Sequence, residues 1–91
     1  MTHKLKINEM WYHALGDGGK RAEIRKHDRD FQTGDIIEFE VLWDESTKFR
    51  PKDGYRVVYE ITHVLPYHLF PRGIESGYCM LSLEYKDHIN D

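Results

Sequence analysis

The densest chemistry in the sequence lies between residues 20 and 30, where charged side chains alternate with apolar ones. This stretch holds five basic and three acidic residues, a net charge of +2, although the whole chain carries −3. Arg25 offers a planar guanidinium that suits phosphate or carboxylate, and Lys20 offers a mobile point charge. Glu23 can accept a hydrogen bond from the amino group of a nucleobase. We therefore predict a ligand site here.

The same charges also have a simpler interpretation. Side chains alternate along a strand, so Glu23 and Arg25 share one face and can pair with each other. Such a pair on a solvated surface contributes only about 0–1 kcal/mol. Lys26, His27 and Arg29 either extend a phosphate-binding rim or form an ordinary polar loop. The residues alone leave the ligand site and the solvated ion pair both open.

Other reactive side chains give different patterns. Zinc sites need three or four converging ligands, and the six histidines include no His-x-x-x-His pair, so we predict no metal. Cys79 shares a strand face with Leu81 and Leu83, which predicts a buried, unreactive thiol. Asp35 follows Gly34, and we expect its carboxylate to accept backbone N–H groups of a turn. No glycine-rich phosphate-binding motif occurs, and we predict no cofactor.

Length and composition limit the architecture. A chain of 91 residues predicts one domain, residues 1–91, because a second would lack a core. A single cysteine excludes an intramolecular disulfide framework. The first residues lack the apolar stretch of a signal peptide, and no stretch approaches the roughly 20 apolar residues of a membrane span. We therefore predict a cytoplasmic protein that does not enter the membrane.

Hydrophobic periodicity predicts five strands and one short helix after the first strand. The predicted strands are residues 3–7, 20–26, 36–43, 55–64 and 78–85. The helix begins after Asn8 as N-cap, has Trp11, Tyr12 and Leu15 on its apolar face, and ends at the glycines of 16–19. Residues 44–54 are a predicted loop, and 65–77 a predicted lid-like loop. The pattern indicates an α+β, β-rich fold, a small closed or half-closed barrel.

Aromatic residues matter for a base-binding site, because single-stranded RNA stacks its bases on rings. Tyr67, Phe70 and Tyr78 lie in or beside the 65–77 loop, where a ring can cover a pocket. The alternative is that these rings close one end of the barrel, which we favour for Phe70.

Several of these residues form a familiar pattern. The run Gly18-Gly19-Lys20-Arg21-Ala22-Glu23-Ile24-Arg25-Lys26 is followed by Asp28-Arg29-Asp30-Phe31 and by Gly34-Asp35. Together with the strands at 3–7 and 77–83, the pattern resembles the ASCH domains of the PUA-like superfamily, and most closely their DUF3850 branch. The resemblance covers nearly the whole chain, with gaps in the middle loops.

The resemblance implies a mixed PUA-like β-barrel with a cleft beside the strand from Lys20 to Arg25. It also implies that the partner is RNA or a nucleotide-like molecule. The predicted binding residues are Lys20, Glu23, Arg25, Lys26, Arg29 and Tyr78.

Two alternatives stay open. One ASCH branch resembles small amidohydrolases that deacetylate N4-acetylcytidine and use lysine, threonine and glutamate. Lys20 matches their lysine, Glu23 stands at the position of their threonine, and their glutamate has no assigned counterpart here. This departure favours binding over catalysis. Because DUF3850-like proteins are common in phage genomes, the second alternative is a phage or host accessory protein whose partner is another protein.

Overall fold

The computed structural model describes residues 1–48, 51 and 54–89. The elements are β1 (Thr2–Asn8), α1 (Glu9–Gly16), β2 (Ala22–Lys26), β3 (Ile36–Leu42), β4 (Arg56–Pro66), a 3-10 turn (Tyr67–Leu69) and β5 (Tyr78–Ile89). The strands form one mixed sheet in the order β1-β3-β4-β5-β2. The predicted β-rich α+β fold, with five strands and one early helix, is confirmed.

The sheet curls into a half-barrel whose two edges are β1 and β2. β1 runs parallel to β3, while the other neighbouring strands pair antiparallel. Across the opening between the edges, Arg25 Nη2 donates a hydrogen bond to the carbonyl oxygen of Lys6 at 2.8 Å. One side chain of β2 therefore ties the two edges of the sheet together.

The core lies on the concave face of the sheet and follows the predicted alternation. β3, β4 and β5 each place three side chains in it, α1 adds one, and each large apolar side chain buried this way contributes about 1.5–3 kcal/mol. The buried side chains of the three central strands are Ile37, Phe39, Val41, Val57, Tyr59, Ile61, Cys79, Leu81 and Leu83. Leu15 of α1 packs over them. Trp43 and Tyr55, just outside the ends of β3 and β4, are only partly buried and pack against the margin of the core.

Two loops differ from their predictions. β4 continues to Pro66, because Leu65 and Pro66 still pair with Met80 and Cys79 of β5, so the predicted lid-like loop begins later. Proline ends this strand without cost to the sheet, since it lacks only the N–H that a terminal residue need not donate. Phe70 is half exposed and does not close the barrel. The predicted loop at 44–54 includes residues 49, 50, 52 and 53, which lie outside the described residues.

Helix α1 begins after Asn8, as predicted, but the Asn8 side chain makes no capping hydrogen bond. Glu9 in the first turn binds the following loop instead. Its Oε1 accepts hydrogen bonds from the Asp44 backbone N–H at 2.9 Å and from the Thr47 hydroxyl at 2.6 Å. These bonds lower the pKa of Glu9 and fasten the loop after β3 to the helix. No helix among the described residues has the length and apolar character to cross a membrane.

Asp35 stabilises the turn before β3, and its carboxylate accepts more hydrogen bonds than the turn motif alone predicts. Its Oδ2 accepts a hydrogen bond from the Gln32 backbone N–H at 3.0 Å, which confirms the predicted turn role. The same oxygen accepts from Nε2 of the buried His3 in β1 at 2.8 Å. The hydrogen bond from His3 is the main cause that lowers the pKa of Asp35 to about 2. The carboxylate therefore joins β1 to the start of β3.

We predict that Asp35→Asn lowers the free energy of unfolding by about 1.5–3 kcal/mol, the usual contribution of hydrogen bonds to a charged group. Because the folded-state pKa lies below the ordinary value of 3.8, the stabilisation is complete above about pH 4 and is lost as the pH falls toward 2. Urea midpoints of the wild type should drop over this range. The variant should lack that part of the drop, while the exposed control Asp17→Asn should behave as wild type.

Candidate ligand-binding cleft

Strand β2 turns its charged side chains inward. Glu23 and Arg25 pair with Leu81 and Cys79 of β5, whose side chains face the core, so all four share the concave face. Glu23 is only 7% exposed, whereas Ile24 between the two charged residues is 54% exposed. Side chains alternate along β2 as the sequence predicts. The charged face of this strand is the one that points toward the core.

The carboxylate of Glu23 is shared by two cations. Lys20 Nζ donates to Oε1 at 2.6 Å and also to the carbonyl oxygen of Ala22. Arg25 Nε donates to Oε2 at 3.0 Å, and its Nη2 lies 2.7 Å from the same oxygen. The predicted Glu23–Arg25 pair exists, but it is buried on the carboxylate side and not solvated. Glu23 thereby fixes the positions of both cations.

Aromatic rings complete the support of these cations. The Arg25 guanidinium carbon lies 5.2 Å from the centroid of the buried Phe39 ring. Lys20 Nζ lies 5.7 Å from the Trp11 ring, in the range where a cation is attracted to a ring face. Arg25 uses Nε toward Glu23 and Nη2 toward Glu23 and Lys6, while its Nη1 has no hydrogen-bond partner among the described residues. The two N–H groups of Nη1 thus have no acceptor among the described residues.

A cleft of about 590 Å³ follows the free edge of β2 and reaches across to β1; we call it the charged cleft. Its lining residues are Lys6, Ile7, Asn8, Trp11, Lys20, Ala22, Glu23, Ile24, Arg25, Lys26, Leu42 and Met80. Four of them are cations and one is an anion, so the formal charge of the lining is +3. Within the described ranges, Lys6 and Lys26 make no ion pair, which leaves two ammonium groups at the rim.

The structure brings four of the six predicted binding residues together. Lys20, Glu23, Arg25 and Lys26 line the charged cleft. Arg29 does not: it is exposed beyond the end of β2, with Nε 3.6 Å from Oδ1 of the neighbouring Asp28. Tyr78 is also outside the lining, although it pairs with Lys26 across the β2–β5 ladder. Binding roles for all six residues stay predictions.

Trp11 and Lys6 line the cleft but were not predicted as site residues. Trp11 is 42% exposed and does not join Tyr12 and Leu15 on the inner face of the helix. No helical spacing could have shown this: Trp11 lies four residues before Leu15 and Tyr12 three, and both spacings predict the same apolar face. For Lys6, only the curvature of the sheet brings β1 near β2, and no sequence pattern carries that information.

The lining provides charge and apolar surface, but it has no hydroxyl or thiol nucleophile in the described part of the chain. Neither serine nor threonine lines the cleft. Cys79 is fully buried, as predicted, and burial raises the pKa of its thiol. Among the described residues, no three His, Cys, Asp or Glu side chains are grouped as they would be around a metal ion. The arrangement is suited to holding an anionic molecule that also has an apolar ring.

The fold and this cleft together define a small β-rich half-barrel domain with a basic cleft between its sheet edges. The chain belongs to the family described as Domain of unknown function (DUF3850), whose family model matches residues 2–83. This confirms the resemblance at the level of the family. A search of curated proteins found no match to the chain.

We predict that Glu23→Gln lowers the free energy of unfolding by about 1–3 kcal/mol, because the two cations then lose a charged acceptor. Lys20 and Arg25 are each about one-fifth exposed, so water partly replaces the carboxylate and limits the loss. Urea denaturation followed by tryptophan fluorescence measures the change.

The matched control is Glu84→Gln on β5, whose side chain is 62% exposed. It should change stability by less than about 0.5 kcal/mol, as surface substitutions usually do. Equal effects of the two variants would show that Glu23 does not organise the cleft.

Proposed function

We propose that this chain is a binding module for single-stranded RNA, with one nucleotide held in the charged cleft. The observation that carries the proposal is the combination of four cations with the half-exposed Trp11 ring in one cleft. A nucleotide presents the matching pair of features, a negatively charged phosphate and a flat, apolar base. Neither feature of the cleft alone would favour RNA over another anion or another apolar ligand.

The cations on the free edge of β2 supply the phosphate site. Arg25 and Lys26 follow one another along this edge and both line the cleft, Arg25 from the concave face of the sheet and Lys26 from the opposite face. Lys6 approaches from β1 on the opposite wall. Arginine suits phosphate because its fork matches the geometry of two oxygens, while lysine contributes charge at short range. A phosphodiester between the two walls would offset one of the three excess positive charges of the lining, and neighbouring phosphates of the same strand would offset the others.

The base would lie on the apolar part of the cleft. Trp11 offers a ring face, and Ile24, Leu42 and Met80 provide the surrounding apolar surface. Ile24 and Leu42 are both strongly exposed, at 54% and 44%, so a ligand there would cover apolar surface that water now contacts. Stacking of one base on an aromatic side chain contributes about 1–3 kcal/mol.

Glu23 takes a positioning role in this proposal and does not read the base. Each of its carboxylate oxygens already accepts hydrogen bonds from a cation, and the side chain is almost completely buried. A base amino group would have to displace Lys20 or Arg25 to reach it. Base selection by the cleft would therefore come from stacking and shape, with little hydrogen-bond specificity.

The ASCH and PUA-like resemblance supports the same conclusion. We infer that the DUF3850 family falls within the PUA-like superfamily, because the sheet order leaves a cleft beside the strand from Lys20 to Arg25, where the resemblance implies one. The proposal also includes a cytoplasmic location, where RNA is available.

We predict binding of a mixed RNA oligonucleotide pool at low salt, with affinity falling as salt rises. If three phosphates are neutralised, the slope of log K against log salt should be about −2, a loss of roughly 20-fold between about 50 and 200 mM. Lys26→Ala and Lys6→Ala should each reduce the slope by about 0.7. Fluorescence anisotropy of labelled RNA measures both quantities.

The matched control is Lys86→Ala. Lys86 lies on β5 beyond the stretch that pairs with β2 and does not line the cleft. Its loss should leave the slope unchanged. Absence of binding at low salt, or equal effects of all three lysine variants, would refute the proposal.

We predict that Trp11→Ala weakens RNA binding about 5-fold to 150-fold, the equivalent of about 1–3 kcal/mol of lost stacking. Trp11→Phe, which keeps a ring, should retain most of the affinity. In a Trp43→Phe background, Trp11 is the remaining tryptophan, and its fluorescence should be quenched by RNA. Unchanged affinity of Trp11→Ala would place the base elsewhere.

A further inference from the structure

A second pocket, of about 230 Å³, lies between the C-terminal end of α1 and strands β4 and β5; we call it the tyrosine pocket. Four tyrosines line it, from the helix, the loop before β4, β4 itself and β5. They are Tyr12, Tyr55, Tyr59 and Tyr85, and Leu15 and Gly16 complete the helix side. The tyrosine pocket shares no lining residue with the charged cleft.

The four rings form two nearly perpendicular pairs. The Tyr12 and Tyr55 rings are 6.0 Å apart at 86°, and the Tyr59 and Tyr85 rings are 5.7 Å apart at 79°. Hydrogen bonds hold these orientations: the Tyr12 and Tyr55 hydroxyls are 3.1 Å apart, and the Tyr85 hydroxyl lies 3.1 Å from His88 Nδ1. The pocket is therefore organised before any ligand arrives.

The electrostatics of the tyrosine pocket favour a cation. No charged side chain of the described residues lines it. Ring faces carry negative potential, and Gly16 ends helix α1, where the helix dipole is negative. Because the chain carries −3 and the charged cleft +3, the other residues together carry −6. An anion would find no charged partner among the described lining residues.

We propose that the tyrosine pocket binds the head group of a quaternary ammonium compound. Such a group has no N–H donors and needs no acceptor, so it suits a lining of aromatic rings and apolar side chains. Burial raises the pKa of Tyr55 to about 12 and also raises that of Tyr59, so neither hydroxyl ionises near neutral pH. The volume is below the roughly 300 Å³ of the smallest drug-sized pockets, which restricts the ligand to a small head group. This inference does not depend on RNA binding.

The test uses choline, free trimethyllysine and the neutral tert-butyl analogue of choline, with binding measured by NMR chemical-shift changes on the full chain. We expect both ammonium compounds to bind about tenfold more tightly than the neutral analogue, since cation–π attraction in a partly desolvated site has this magnitude. Tighter binding of trimethyllysine would indicate a methylated protein side chain as the source, and tighter binding of choline a small metabolite. No binding at millimolar concentration, or equal binding of the neutral analogue, would overturn the proposal.

Two variants of Tyr85 distinguish cation–π attraction to its ring from simple apolar contact. Tyr85 is half exposed, so its replacement is compatible with folding. Tyr85→Leu keeps apolar surface and should weaken ammonium binding about tenfold, whereas Tyr85→Phe should weaken it less than about threefold. Equal affinities of the two variants would refute a cation–π site.

Gly16→Leu tests whether the ammonium compounds bind in the tyrosine pocket. Gly16 lines the pocket, its φ is not positive, and a Cβ built on it meets no atom within 4 Å. A leucine there should fill the pocket and abolish ammonium binding while RNA binding by the charged cleft persists. The control is Gly19→Leu, also without a close neighbour at its Cβ and outside the lining, which should bind as wild type. Undiminished ammonium binding by Gly16→Leu would place the site elsewhere.

Discussion

The buried carboxylate of Glu23 is the constraint on which the arrangement of this molecule depends. A carboxylate removed from water needs charged partners, and Glu23 has two, Lys20 and Arg25. Arg25 in turn reaches the carbonyl oxygen of Lys6 on the opposite edge of the sheet. The same small network therefore satisfies the buried charge, joins β1 to β2 and lines the cleft with fixed cations.

The cleft carries excess positive charge because the single carboxylate of Glu23 is shared by two cations. Glu23 neutralises one of the two cations it touches, and Lys6 and Lys26 add charge at the rim without ion pairs among the described residues. An ion-pair network with equal numbers of positive and negative groups would not attract an anion. Here the lining keeps a surplus of +3 in a chain whose total charge is −3, so an anionic ligand meets a local field opposite to that of the molecule as a whole.

Much of the fold was predictable because strand periodicity is a local property. Phe39, Val57 and Ile61 are buried as the alternation of apolar residues requires. Less could be predicted where pairing decides the outcome. β4 extends to Pro66 because residues of β5 pair with it up to that position. A proline considered without its partner strand predicts a loop. Helical spacing assigns Trp11 to the apolar face of α1 with Tyr12 and Leu15, but Trp11 lines the charged cleft instead.

The approximate positions of the strands and the helix, and the charged composition of β2, could be predicted because each depends on residues close together in the chain. The family was recognisable from a pattern that extends over nearly the whole chain. The face of β2 that meets the core could not be predicted in the same way, because an alternating strand has two equivalent sides until it pairs. Pairing with Leu81 and Cys79 turned Glu23 and Arg25 inward. The approach of Lys6, the position of Trp11 and the assembly of four tyrosines likewise required the curvature of the sheet, which brings together residues far apart in sequence.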